Sequence, residues 1–249
     1  MTHLAAERAR LNASVQSYGD VVAPFDLRMR TYMMRTFAPF FGKGQCLQVG
    51  CAHGDQTSLL LEHYDKVTVV EPVAEFIERT RERLGNRVQF VNSLLEYFET
   101  NERYETIIFS HVLEHMLDPV IALRKLGSLL TETGRLYVVV PNAEAPSRRI
   151  AVKMGVLLHL EALSPDDVAA GHRRVYRLDT LSGDCRVAGL RIEQTGGIFF
   201  KPLANFQLNA LIDGPLIGET FMEGCYQLGK ERPGECASIY AILGRPDPL

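Results

Sequence analysis

Two glycines four positions apart, Gly50 and Gly54, interrupt a run of valine and leucine in QVGCAHGDQTSLLLEHYDKVTVVEP (48–72). A carboxylate, Glu71, follows 17 positions after Gly54. A glycine in such a turn can adopt φ > 0 and admits a ligand close to the backbone, while the helix behind it offers unpaired N–H groups. A carboxylate closing the next strand accepts hydrogen bonds from the two hydroxyls of a ribose. Occurring in this order within one strand–helix–strand unit, they read as a nucleoside site. The turn Gly50-Cys51-Ala52-His53-Gly54 lacks the G-x-G-x-x-G register that aims a helix dipole at a pyrophosphate. The expected ligand is therefore a nucleoside without phosphates.

Three histidines have a side chain suited to taking a proton near working pH. His172, in the irregular stretch GHRRVY, is the first candidate for a base or a substrate contact. His111 directly follows a strand-like run, IIFS, and can point into a crevice. Glu114 and His115, in LEHMLDP, are expected at the start of the next helix, where the acid favours the helix dipole and the histidine packs or caps. Arg173 and Arg174 either hold an acidic group of a substrate or stand as a solvated pair. Tyr18 and Tyr176 either close over the site or pack. Lys201 and Pro202, after GGIFF, are candidates for an acceptor pocket, and Cys51 is read as a small buried thiol without reactivity.

The elements that must position these groups follow from hydrophobic periodicity. Apolar runs at 46–50, 66–71, 87–92, 105–110 and 134–141 lack polar alternation, as strands buried on both faces do. Helical patterns at 57–63, 73–84 and 119–130 alternate with them, which predicts a parallel sheet with helices on both faces. Residues 1–40 read as a helical cap broken near Tyr18-Gly19 and Pro24. The stretch 142–179 is expected to be mobile or substrate-facing, and strands at 190–200 and 236–244 bracket a variable stretch, 203–233. The division expected is one domain over 1–249: cap 1–40, nucleoside-binding core 41–145, substrate-facing insertion and late strand 146–233, last strand 234–249.

Composition narrows the partners. With 249 residues, 46% hydrophobic and 23% charged, the chain is long enough for one large α/β domain. Lys and Arg number 27 against 30 Asp and Glu, a net of −3, so the basic footprint of a nucleic-acid binder is absent. Five cysteines without a CxxC pair argue against a disulfide framework and a zinc site, so no metal is expected, and reduced thiols suggest the cytoplasm. No segment approaches the ~18 apolar residues of a membrane span.

The stretches CLQVGCAHG, VTVVEP, IIFSHVLEHMLDP and GRLYVVVPN together resemble the class I S-adenosylmethionine (SAM)-dependent methyltransferases, in particular the subgroup similar to the ubiquinone and menaquinone enzymes. The resemblance covers about 44–145, and GHRRVYRLDTL is similar to the subgroup's C-terminal half. It implies an α/β, Rossmann-like, seven-stranded, mostly parallel sheet with an N-terminal helical cap and a substrate-side insertion. It also implies SAM as cofactor and S-adenosylhomocysteine (SAH) as product. In that reading Gly50, Cys51, Ala52, Gly54 and Thr57 surround the methionine part, Glu71 and Pro72 the ribose, and Asn92, Ser93 and Leu94 the adenine. Ser110, His111 and Val112 then face the sulfonium, and His172, His111 and His115 are the catalytic candidates. The chain departs from the family at Gln48, where an acid is usual, and at Ala52, where a glycine is usual. The implied activity is methyl transfer to O or N of a small molecule such as an antibiotic intermediate or sugar, by a monomer or homodimer without nucleic-acid or membrane partners. The alternatives are S- or C-methylation, or a methyltransferase-fold binding protein without catalysis.

Overall fold

The computed structural model describes residues 3–19, 22–212 and 214–246; the side chain of Tyr18 lies outside the described residues. Two helices, α1 (His3–Tyr18) and α2 (Pro24–Phe37), precede the first strand, β1 (Cys46–Val49). Next come α3 (Asp55–Leu60), β2 (Val67–Val70), α4 (Ala74–Leu84), β3 (Val88–Val91), β4 (Tyr104–Ser110), α5 (Pro119–Ser128) and β5 (Leu130–Pro141). The second half holds α6 (Pro146–Lys153), α7 (Pro165–Ala169), α8 (Leu178–Val187), β6 (Arg191–Phe200), α9 (Asn205–Leu211), α10 (Glu219–Glu231) and β7 (Cys236–Gly244).

The seven strands form one sheet in the order β3-β2-β1-β4-β5-β7-β6. It is parallel except that β7 runs antiparallel to both β5 and β6. Strand order reverses between β1 and β4, and at that switch point a crevice opens outside the carboxyl ends of the strands.

Alternate strand residues serve two cores. Ile108, Tyr137 and Val139 face α2 and α10, with Met29, Tyr32, Met33, Phe37 and Tyr226. Ile107, Phe109, Leu136 and Val138 face α5 and α8, with Leu123, Leu126 and Leu181. The cap helix α2 is anchored by Phe37, whose ring lies 5.2 Å from those of Tyr137 and Tyr240. Burial of such a ring contributes about 2–3 kcal/mol, so α2 is a fixed wall of the crevice.

Three local expectations change. Glu114 and His115 do not begin a helix; they sit in a tight 3-10 turn, Leu113–His115. The helix begins at Pro119, because Asp118 caps it by accepting the Ile121 N–H and proline at the first helical position loses no bond. Leu130 does not end α5 but opens β5, paired with Tyr104. The third helix starts at Asp55, two residues earlier than its apolar pattern suggests, since Gly54 caps it in the left-handed region.

Candidate active site

The glycine turn is shaped from within. Gly50 has φ +76°, and a Cβ there would lie 2.9 Å from Val112 Cγ2. Gly54 has φ +78°, and its missing Cβ leaves room for Thr80, 2.6 Å away. Between them Ala52 takes φ 44° without being glycine, a strain of roughly 1 kcal/mol. Gln48 braces the turn: its Nε2 donates to the Gly50 carbonyl at 2.9 Å and its Oε1 accepts from Thr57 Oγ1 at 2.7 Å.

Glu71 stands beside this turn, 4% exposed. One carboxylate oxygen accepts the Cys51 N–H and the other the Val73 N–H, each at 2.9 Å. Burial pushes its carboxyl upward, against those hydrogen bonds. Each oxygen keeps a lone pair for a further donor. Asn92 Nδ2 donates to the carbonyls of Glu71 and Pro72, which fixes the end of β2 to the end of β3.

A cavity of about 740 Å³ opens over these groups, within the usual range for a small-molecule site. The wall at the carboxyl ends of the strands includes Gly50, Cys51, Ala52, Glu71, Pro72, Leu94, Ser110, His111 and Val112. Gly54, Thr57, Asn92 and Ser93 do not line it; Gly54, Thr57 and Asn92 hold the wall from behind. At the end of β4, His111 is another strained residue, with φ 55°. Its Nε2 lies 3.3 Å from Ser238 Oγ and its Nδ1 3.5 Å from Glu114.

The opposite end is built from segments far apart in the chain. His172 Nδ1 lies 3.0 Å from Asp167 Oδ1, and Asp167 is itself held by Ser164 and Arg148. Burial alone would lower the pKa of His172, but the Asp167 hydrogen bond and the nearby Glu114 outweigh it and raise it. His115 packs edge-on against His172, ring centroids 4.8 Å apart, and burial holds its pKa down. His111, His115 and His172 all line the cavity, so the three histidines meet in one place. Glu114 lies behind them, wholly buried.

Lys201 also lines the cavity, with Nζ 5.9 Å from the Phe25 ring centre. Its burial pushes the ammonium down to about 8, against the carboxylates of Asp26, Asp167 and Asp166 and with Arg148 reinforcing the fall. The arginine pair is spent on the scaffold. Arg173 donates to the His115 carbonyl and to Glu7, and Arg174 to the carbonyls of Met116 and Leu117. Tyr176 is buried, donates to Asp184 and does not line the cavity.

Helix α1 straps across the opening by polar contacts. Arg10 donates to the Gly171 carbonyl at 2.7 Å and pairs with Glu7, which also holds Arg173. Sequence reasoning missed Glu7, Asp26, Met29, Arg30 and Met33 as cavity residues, as well as Glu114 as the hub of the histidines. A signal for Asp167 was present: Ser164-Pro165 opens a capping box closed by Asp167, five residues before His172.

The methyltransferase-domain family description matches residues 25–195. Nodulation protein S of Bradyrhizobium diazoefficiens is 32% identical over 111 residues, 43% of this chain and 53% of that protein. The ubiquinone biosynthesis O-methyltransferase of Xanthomonas euvesicatoria is 25% identical over 166 residues, 64% of this chain and 67% of that protein. The chain spans about half the length of the nodulation proteins it matches. Among solved structures, the N-methyltransferase NodS from Bradyrhizobium japonicum WM9 in complex with SAH superposes with TM-score 0.62 at 15% identity, over 97% of this chain and 99% of that one. The Burkholderia thailandensis 1,6-didemethyltoxoflavin-N1-methyltransferase gives TM-score 0.64 at 18% identity, over 98% and 89%. At such identities the structures show a shared fold.

Proposed function

The chain belongs to the methyltransferase-domain family and carries the class I SAM-dependent fold, and from that premise we propose that it moves the methyl group of SAM to an oxygen or nitrogen atom of a small-molecule acceptor. The observation that carries this reading is one continuous cavity lined both by Glu71 with its glycine turn and by His115 and His172, with His111 on the wall at the end of β4. The Glu71 side fits the cofactor: Glu71 has lone pairs free for a ribose, Gly50 presents no Cβ, and Val73, Leu94 and Leu95 supply an apolar wall for adenine. Bound SAM supplies an already activated methyl group, so the protein mainly aligns the acceptor and excludes water.

The chain's own residues divide that task. Gln48 and Thr57 hold the turn, Gln56 fixes Ser110 at 3.2 Å, and Met29 and Met33 wall the acceptor chamber from α2. His172, oriented by Asp167, is the residue placed against the acceptor, with His115 and His111 beside it. The acceptor in this reading is a natural-product intermediate or a sugar, small enough for a cavity of about 740 Å³. Five buried cysteines, none in a disulfide, support a reducing compartment, the cytoplasm. Among the described residues no helix is long and apolar enough to cross a membrane.

Calorimetry with SAM and SAH tests the first half: both bind below millimolar, and the reading fails if neither does. His172→Ala tests the second half, lowering turnover at least tenfold while SAH binding holds; unchanged turnover removes His172 from the acceptor end.

A further inference from the structure

Glu114 is a buried charge in this site with histidines for near neighbours: His111 Nδ1 lies 3.5 Å and His172 Nε2 3.9 Å from one of its oxygens. Its carboxylate is wholly buried and neither oxygen has a hydrogen-bond partner, a costly arrangement for a group stripped of water. His115 and His172 flank it, and one ligand atom from each of the three residues can be chosen so that all lie within 4.8 Å of one another. Both imidazoles are already tied through Nδ1, His172 to the Asp167 carboxylate at 3.0 Å and His115 to the Gly171 carbonyl at 3.2 Å. Those partners only accept, so Nδ1 carries the proton and Nε2 is left as a lone-pair donor. The His172 Nε2 lies 3.9 Å from a Glu114 oxygen. Tying the second ring nitrogen to a carboxylate or carbonyl is how metal-ligating histidines are oriented.

We propose that Glu114, His115 and His172 bind a divalent first-row transition ion in the cavity wall, and that this ion receives the acceptor through a hydroxyl oxygen. Two imidazoles and one carboxylate suit Zn²⁺, Fe²⁺ or Co²⁺ better than Mg²⁺ or Ca²⁺, which favour all-oxygen shells. Three protein ligands leave coordination positions open. Because His115 and His172 line the cavity and Glu114 backs them, those positions face the acceptor chamber. The lack of paired cysteines excludes a thiolate site and has no bearing on this one.

The inference rests on the methyl-transfer reading and narrows it to oxygen. An acceptor hydroxyl is acidified on binding the ion and gives up its proton to bulk solvent as it enters, before the site closes, because a cation lowers the pKa of a bound O–H. The resulting oxygen attacks the methyl carbon of SAM; the O–C bond forms as the S–C bond breaks, leaving a methyl ether and neutral SAH. The ion is neither oxidised nor reduced.

Full-length protein stripped with EDTA and titrated with Co²⁺, without SAM, should develop visible d–d absorption saturating at one equivalent and reversed by Zn²⁺. Zn²⁺ should raise its melting temperature. Glu114→Gln should weaken Co²⁺ binding at least a hundredfold, and Asp167→Asn, which removes the carboxylate that orients His172 together with its ties to Ser164 and Arg148, by roughly 10–100-fold. SAH calorimetry on each variant in EDTA confirms a folded cofactor end and tests the methyl-transfer reading separately. No Co²⁺ absorption and no Zn²⁺-induced stabilisation in the wild-type protein overturns the proposal, as does absorption that survives Glu114→Gln and His115→Ala alike.

Discussion

The two ends of the cavity are built on opposite terms. At the cofactor end the buried polar groups are satisfied within a short stretch of chain: Gln48 by Gly50 and Thr57, Glu71 by Cys51 and Val73. At the acceptor end Glu114 has no hydrogen-bond partner and Lys201 is desolvated over an aromatic ring. The first end is a scaffold whose stability and binding geometry coincide. The second holds charges that cost stability until a ligand answers them, the usual signature of a site kept for function.

That contrast can be broken by substitution, starting with the largest effect. In the proposed cofactor site Glu71→Ala takes away the carboxylate offered to the two ribose hydroxyls, at about 1.5–3 kcal/mol for each charge-assisted hydrogen bond, and should weaken SAH at least a hundredfold by calorimetry; a loss below tenfold would place the ribose elsewhere. Gln48→Leu leaves the Thr57 hydroxyl and the Gly50 carbonyl unanswered, so chemical denaturation should show a loss of about 2 kcal/mol. Lys201→Met should act in the opposite direction, a gain of about 1–2 kcal/mol at neutral pH, because a buried cation is replaced by an isosteric apolar chain.

The pH dependence checks the sign for Lys201. Its folded pKa, about 8, lies below its unfolded value, so between those two values the unfolded chain binds more protons and stability rises with pH. The wild-type protein should therefore gain stability on its variant as pH moves up from 8, and a flat difference would mean the ammonium is solvated. The smallest effect belongs to the turn: Ala52→Gly relieves the left-handed strain at φ 44° and should stabilise by about 0.5–1 kcal/mol, or about 1–4 °C in melting temperature.

The same division governs what the sequence discloses. Strands β1 to β5, Gly50 and Glu71 are legible because each depends on neighbours within one strand–helix–strand unit, where period and turn chemistry act. The roles of Asn92 and Ser93 are less so: the resemblance sets them beside adenine, while the fold uses Asn92 to tie β2 to β3. At the acceptor end legibility fails for a physical reason. Glu114 sits in a turn after β4, Asp167 in α7 and Lys201 just beyond β6, and their proximity is a property of tertiary packing that no local period encodes. Arg173 and Arg174 read in sequence as either an anion site or a solvated pair, yet they satisfy the carbonyls of the turn that carries His115.

The strap made by α1 has a bearing on the response to salt. Whereas α2 is held by buried rings, α1 meets the core through the half-buried Leu11 and Val15 and is tied to Gly171, Arg173 and the His115 carbonyl by ionic or polar contacts. Partly exposed ion pairs weaken as salt shortens the Debye length to about 8 Å at physiological strength, whereas apolar packing does not. Raising ionic strength therefore weakens the ionic part of the hold on α1 and leaves its apolar part, Leu11 and Val15 against the core, in place.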